Sequence, residues 1–420
     1  MIKFIHSADI HLDSPMRMLS KYEGAPVEEV QGATRRALEN LVDLAVNEKT
    51  DFVLICGDLY DGDWRDYQTG LFFVSQMAKL HDVGISVYIV AGNHDAANRM
   101  TRRLPLPKNV RLLSPDEPQT IEIDNIGVVV HGQSFISQAI YSDLSEKYPD
   151  AIPGMYNIGM LHTCANSRPG HDPYAPCTIR GLSLKGYDYW ALGHIHKRET
   201  LLEDPFVIFP GNPQGRHIGE TGPKGCMLVT VDEKGLCSPE FRPLEKVRWE
   251  ICEIDLPDTT SESALFERIL EGLARVCGTT ELPLIVRLKL RRESPGYGSI
   301  APEMERIAND IRSESIVLFG GRVWIEKIVL ENAVPAALRM QTAAGPVSEL
   351  LDLVRELASD QAYMERAGDS LRELWGRLPK EVRDSDDAIS PDDPHRTGEL
   401  IEEIQADLLR RFKGLQQDSK

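Results

Sequence analysis

The sequence predicts an α/β core with a second sheet packed on the first. Three observations carry that expectation. Apolar runs alternate with helical patterns over residues 1–95, as in α/β cores. Two of those runs, "DFVLICGD" and "GISVYIVAGNHD", are apolar without alternation, which is how strands buried on both faces read. Beyond them, strand-like runs follow one another closely with few helices between, which calls for a second sheet.

Taken in order, "KFIHSADI" begins the fold as a strand, and a helix follows around 28–48. "DFVLICGD" is the second strand, residues 66–82 read as a helix, and "GISVYIVAGNHD" is the third strand. The second sheet is expected from "QTIEIDNIGVVVHGQSF", "YNIGMLHT", "YDYWALGHIH", "PFVIFPGN" and "KGCMLVTVDEKG". A break falls near 240–247. "RWEICEIDL", a helix at 261–277, "PLIVRLKLRR", a helix at 302–314 and "GRVWIEKIVLEN" then give a β-α-β-α-β unit. The end is helical: Leu350, Leu351, Val354 and Leu357 share one face, as do Leu371, Leu374, Trp375 and Leu378, and Ile401, Ile404, Leu408 and Phe412. The acidic, Pro-containing "RDSDDAISPDDPHRTGE" between them reads as a linker.

The 420 residues suffice for two or three domains, and the net charge of −18 argues against a generally basic nucleic-acid binder. A local basic surface or bound cations would still accept a polyanion. The seven cysteines form no CxxC pair, which argues against a thiolate zinc site and fits a reducing, cytoplasmic setting. No apolar run is long enough to span a bilayer.

Suggestive polar residues gather where strands end. Asp9 and His11 follow the first strand, Asp58 and Asp61 the second, and Asn93 and His94 the third. His162 ends "IGMLH", and His194 and His196 end "WALGHIH". Ligands of open α/β sheets bind beyond the carboxyl ends of the strands. Oxygen and imidazole donors without sulfur suit a catalytic Mn, Fe or Zn. They outnumber the needs of one ion, whereas two ions roughly 3.5–4 Å apart sharing a carboxylate would use them all.

The ordered set D-x-H, GD-x-x-D, GNHD, H and GH-x-H, over roughly residues 1–235, resembles the calcineurin-like metallophosphoesterases. The resemblance implies a four-layer α/β/β/α sandwich holding two divalent metal ions, with manganese the expected one. It assigns Asp9, His11, Asp58 and His196 to one ion, and Asp58, Asn93, His162 and His194 to the other, with Asp58 bridging. It makes His94 the general acid, oriented by Asp61, and a two-metal-activated hydroxide the nucleophile. Gly62 stands where protein Ser/Thr phosphatases carry Arg, which disfavours a phosphoprotein substrate. "FIHSADIHLDSP" and "FPGNPQGRHIGETGPKGC" are similar to the SbcD-type DNA repair exonucleases, in a YhaO-like bacterial branch. That similarity implies a nuclease domain over 1–240, an α+β capping, DNA-binding domain over 247–332, and a helical partner-binding region over 344–420. It implies 3′–5′ cleavage at DNA ends, docking of the last helices on an SMC-like (SbcC-type) ATPase, and a homodimer. Asp61 departs from the eukaryotic-type relatives, which carry His there.

Plainer roles compete at several positions. His6 reads as a core residue, Asp13 as a turn residue, His131 as structural or lining the site, and Cys164 as a small buried hydrophobe. The "GRHIGETGPKG" loop either makes tight turns or brings Arg216 and Lys224 to a DNA phosphate. "RLKLRR" is a solvated strand face or the DNA-facing patch of the cap. Two other functions stay open: a phosphodiesterase or phosphatase acting on a small substrate, and a non-catalytic DNA-end clamp or scaffold for the ATPase.

Overall fold

Strand β1 (Ile2–Ser7) is the hub of the fold. Its residues alternate between two faces, and both faces are covered. In the computed structural model the described residues are 1–14, 30, 32–61, 67–97, 105–166, 174–256, 262–292 and 304–332, with Leu353, Arg372 and Trp375 beyond them. The chain divides into two compact units, Met1–Trp249 and Glu250–Lys420.

In the first unit, β1 pairs in parallel with β2 (Phe52–Cys56), β2 with β3 (Ser86–Val90), and β3 with the short β4 (Val110–Leu112). On its other side β1 pairs antiparallel with β11 (Gly225–Val231), which pairs with β12 (Cys237–Pro243). A second six-stranded sheet runs in the order β5 (Gln119–Ile123), β6 (Val128–Gly132), β7 (Tyr156–His162), β8 (Tyr189–Gly193), β10 (Phe206–Phe209), β9 (Glu199–Glu203). Its four central strands are parallel and its two edges antiparallel.

Helix α1 (Ala33–Glu48) buries Ala33, Ala37, Leu38, Leu41, Val42 and Ala45, spaced three and four apart, and ends where Lys49 turns left-handed at φ 53°. With α2 (Tyr67–Asp82) it covers the outer face of the first sheet: Leu41, Phe73 and Met77 pack on Ile5, Val53 and Ile89. The alternate residues Phe4, Leu54 and Val90 meet Val130, Ile158 and Ala191 of the second sheet. Phe4 and Phe52 stack there at 5.0 Å. The outer face of the second sheet, with Trp190, Leu192 and Phe209, packs on Tyr148, Leu182 and Ile195. Among the described residues, the helix on that side is the five-residue α4 (Ile179–Ser183), so loops make up much of the fourth layer.

The topology has one consequence for function. β1, β2, β3, β7 and β8 all lie mid-sheet, and their carboxyl ends carry the polar clusters read in the sequence. Helix α3 (Asn93–Ala97) begins directly after the third of these strands.

The second unit is a three-stranded sheet, β13 (Arg248–Leu256), β14 (Leu284–Arg292), β15 (Val323–Asn332), with α5 (Glu262–Cys277) and α6 (Met304–Phe319). Val286, Leu288 and Leu290 face the helices, so the alternation expected of "RLKLRR" is present. Arg287 is not on an open surface. It is buried and bidentate to buried Glu326, at 2.9 and 2.7 Å. Arg291 pairs with Glu253 at 2.8 Å. No described helix is long and apolar enough to cross a membrane. The amphipathic stretches expected over 344–420 and the acidic linker lie outside the described residues, apart from the three isolated positions.

Candidate metal centre

The strand ends are held together by backbone. The Asp9 amide donates to the Gly57 carbonyl and the His11 amide to the Asp58 carbonyl, at 3.0 and 2.9 Å. The His194 amide donates to both Asp9 oxygens at 3.0 Å. Asp95 ties the second and third loops together, accepting from the amides of Leu59, Tyr60 and Gly92 at 3.0–3.1 Å. Burial raises its carboxyl to about 6, with Asp58 adding repulsion and the amides opposing both. Gly193 is required where β8 passes β2, because a Cβ there would collide with the Cys56 carbonyl.

Four side chains of the centre sit on left-handed backbone: Asp9 (φ 53°), His11 (44°), Asp58 (50°) and His194 (99°). Such conformations cost about 1–3 kcal/mol each outside glycine and persist where the surroundings over-determine them. Here the surroundings aim the side chains at a common volume.

Three groups of side chains place one donor atom each within 4.8 Å of one another: Asp9, His11 and His196; Asp58, His162 and His194; and His11, Asp58 and His94. The first two fall within the two donor sets expected from the sequence. Asn93 joins the second, its Oδ1 lying 3.0 Å from His162 Nε2. Asp58 lies between them, with Oδ2 3.8 Å from His11 Nε2 and 3.5 Å from His162 Nε2. Its Oδ1 accepts the His94 amide at 3.0 Å.

The protonation pattern fits a bound cation. His162 Nδ1 lies 3.0 Å from the Cys56 carbonyl, so that nitrogen carries a proton. In neutral His162 the Nε2 lone pair then faces the Asn93 carbonyl oxygen, two acceptors aimed at each other. His196 repeats the pattern: Nδ1 lies 2.7 Å from Glu220 Oε1, and Nε2 faces His11 Nε2 at 3.2 Å. A proton or a metal ion relieves the His162–Asn93 contact, while His11 and His196 either share one proton between their Nε2 atoms or turn both lone pairs to a metal ion. Burial opposes charge on His162, yet Asp58 and Asp9 draw its imidazole up to about 9. Burial likewise works against the Asp58 anion, but His162, His11 and His94 hold it well below the usual carboxylate range. Burial brings His11 down to about 3, keeping it a neutral donor.

Asp61 is anionic as well: burial opposes its charge, while His11 and Ser14 hold it well below the usual range. Its Oδ1 lies 3.3 Å from His11 Nδ1 and 3.5 Å from His94 Nδ1, and its Oδ2 accepts the Ser14 hydroxyl at 2.8 Å. It therefore faces two imidazoles, where the sequence reading gave it one. With Nδ1 of His94 on the Asp61 side, Nε2 is the nitrogen left for a substrate oxygen.

Arg216 and Lys224, for which the sequence left open a turn role or a phosphate contact, bond to protein groups of the centre. Arg216 Nη2 donates to Glu220 Oε1 at 2.8 Å, and its Nη1 lies 4.0 Å from Asp61. Lys224 is buried and donates to the His196 carbonyl at 3.0 Å. Burial lowers its ammonium from the ordinary value.

Glu220, not singled out in the sequence, organises this shell. It accepts from His196 Nδ1, the Asn212 amide group at 2.8 Å, the Arg216 backbone amide at 2.8 Å and the Arg216 guanidinium. Burial raises its carboxyl, but Arg216 and His196 hold it well below the usual range. The guanidinium also approaches His196 Nδ1 at 3.0 Å. The shorter contact to the carboxylate decides that Nδ1 carries the proton. Glu220 thus directs the Nε2 lone pair of His196 inward, as carboxylates do behind metal-binding histidines. Glu220→Gln is expected to weaken Mn²⁺ binding by about 10–100-fold, read by calorimetric titration of a variant whose circular dichroism matches wild type.

The plainer residues are accounted for. His6 is buried between Tyr189 and the Leu192 carbonyl, each at 3.0 Å. Burial lowers it to about 3. His131 bonds Thr120 and Asn157 and stacks on Tyr187. Cys164 is buried. Asp13 does more than turn the chain: it clamps Arg35 through both oxygens and accepts from Thr69. His217 Nδ1 accepts the Gly219 amide at 3.1 Å, which makes it part of the loop's turn.

Residues 2–198 match the calcineurin-like phosphoesterase family, and residues 249–333 match the middle domain of metallophosphoesterase YhaO. A Bacillus subtilis protein named "uncharacterized metallophosphoesterase YhaO" is 36% identical over 306 residues, 72% of this chain and 74% of that one. The chain belongs to the calcineurin-like metallophosphoesterases. Two other relatives are named DNA double-strand break repair protein Mre11. The one from Methanocaldococcus jannaschii is 29% identical over 284 residues, 63% of this chain and 72% of its own. The one from Methanopyrus kandleri is 23% identical over 296 residues, 64% of this chain and 63% of its own. As a metallophosphoesterase, the chain is a metal-dependent phosphoester hydrolase, and the clusters above are the donors that fit such ions.

Proposed function

We propose that this metallophosphoesterase is a DNA repair nuclease that hydrolyses phosphodiester bonds at DNA ends, with 3′–5′ polarity. The observation that carries the reading is the clustering of Asp9, His11, Asp58, His162, His194 and His196 into two adjoining donor sets, with His94 beside them. The repair function named for the Mre11 relatives supports DNA as the substrate.

Asp9, His11, Asp58 and His196 would hold one divalent ion, and Asp58, Asn93, His162 and His194 the other, with manganese the proposed metal. Bound there, such ions polarise the phosphoryl group and lower the pKa of coordinated water to about 7 in favourable cases. The protein's own part is positioning and proton transfer. The backbone-pinned loops fix the donors, Asp61 holds the His94 ring, and His94 Nε2 protonates the departing deoxyribose oxygen. The second unit is proposed as the cap that guides the strand, and the region over 344–420 as the contact with an SMC-like ATPase.

End-labelled linear DNA tests the reading. Wild-type protein in Mn²⁺ is expected to shorten it progressively from the 3′ end, and EDTA to stop the reaction. Hydrolysis of a small phosphodiester with no cleavage of DNA, alone or with the ATPase, would replace the nuclease by a small-substrate phosphodiesterase.

A further inference from the structure

Four aromatic rings lead outward from the centre. The His162 ring lies 5.1 Å from that of His194, His194 lies 5.8 Å from Tyr174, and Tyr174 lies 6.0 Å from Tyr141. The first ring is fully buried and the last is 69% exposed. Their backbone is pinned. The Thr163 hydroxyl donates to the Ala175 carbonyl at 2.7 Å, and the Ala175 amide donates to the Ile140 carbonyl at 2.6 Å. The segments bearing Tyr174 and Tyr141 are thus tied to each other and to the end of β7.

We infer that Tyr174 and Tyr141 form a stacking subsite for an unpaired nucleobase of the strand being cut. The inference rests on the nuclease reading and adds to it the part of the substrate that is recognised beyond the phosphate. A phosphodiester seated at His162 and His194 places its nucleoside on one side of the centre or the other, and the tyrosines occupy one such side. Every base presents a π-face, so a tyrosine platform binds without reading sequence. Rings on pinned backbone lose little freedom on binding, which favours stacking. A strand end must be unpaired to use the subsite, so frayed or single-stranded ends are the preferred substrate.

The test compares single-stranded oligonucleotides with an intact or an abasic 3′-terminal nucleotide, cut by wild type, Tyr141→Ala and Tyr141→Phe. A stacked base contributes about 1–3 kcal/mol, so wild type is expected to show a KM about tenfold lower for the intact end. Tyr141→Ala is expected to bring that ratio close to one, and Tyr141→Phe, which keeps the ring, to preserve it. A ratio unaltered in Tyr141→Ala would overturn the inference. So would an equal loss on both substrates, which marks a structural role. Failure of wild type to cut either oligonucleotide, with small phosphodiesters still hydrolysed, would instead remove the nuclease reading on which the inference stands.

Discussion

Asp58→Asn is expected to reduce phosphodiester hydrolysis by far more than the roughly 100-fold that follows loss of a partner behind a metal ligand. Asp58 lies within 4 Å of imidazoles from both donor sets, His11 and His162. Asparagine keeps the shape and the oxygen that accepts the His94 amide, but not the negative charge. It removes the anion that draws the His162 imidazole up to about 9 and that would draw a metal ion in the same way. Both donor sets therefore weaken together. Steady-state rates on bis-p-nitrophenyl phosphate across a Mn²⁺ series check this. A variant as active as wild type at every Mn²⁺ concentration of the series would show that Asp58 is no shared ligand.

His94→Ala is expected to lower kcat on DNA by about 10²–10⁴-fold while leaving Mn²⁺ binding intact. The size of the loss should depend on the leaving group. A deoxyribose alkoxide is strongly basic and needs a proton in the transition state, whereas p-nitrophenolate leaves without one. The deficit should therefore be large on DNA and small on bis-p-nitrophenyl phosphate. His94 also places a donor atom within 4.8 Å of donor atoms of His11 and Asp58. Equal deficits on both substrates, accompanied by lost Mn²⁺ affinity, would make His94 a metal ligand and leave the acid unassigned.

Much of the centre was legible because parallel strands in a two-sheet core are apolar along their whole length. A polar cluster where such a run stops is therefore conspicuous, as "CGDLYDG" and "LGHIHK" are. Glu220 was not legible. It sits in a Gly- and Pro-rich loop, where no periodicity marks a buried position, and its importance comes from contacts with Asn212, Arg216 and His196. Arg216 and Lys224 lie in the same loop, and only the tertiary fold shows that Glu220 and the His196 carbonyl accept from them.

The elements that escaped the sequence have physical reasons as well. β12 carries Pro239 and Pro243, which remove ladder donors and are tolerated because it is an edge strand. β4 has three residues, and β9, at an edge of the second sheet, alternates weakly. The run "QTIEIDNIGVVVHG" is two strands, because Gly127 turns left-handed at φ 68° and folds it into a hairpin. In β14, Arg287 reads as an outward cation, yet its side-chain pairing with Glu326 on β15 allows it to be buried.

The proposed function stands on a pair of divalent ions that would share Asp58. Equilibrium titration of Mn²⁺ into the wild-type protein and the Asp58→Asn variant tests it most directly. Two ions per chain in the wild type, with affinity lost at both positions in the variant, is the predicted result. Binding of fewer than two ions by the wild type, or an unchanged isotherm in the variant, would contradict it.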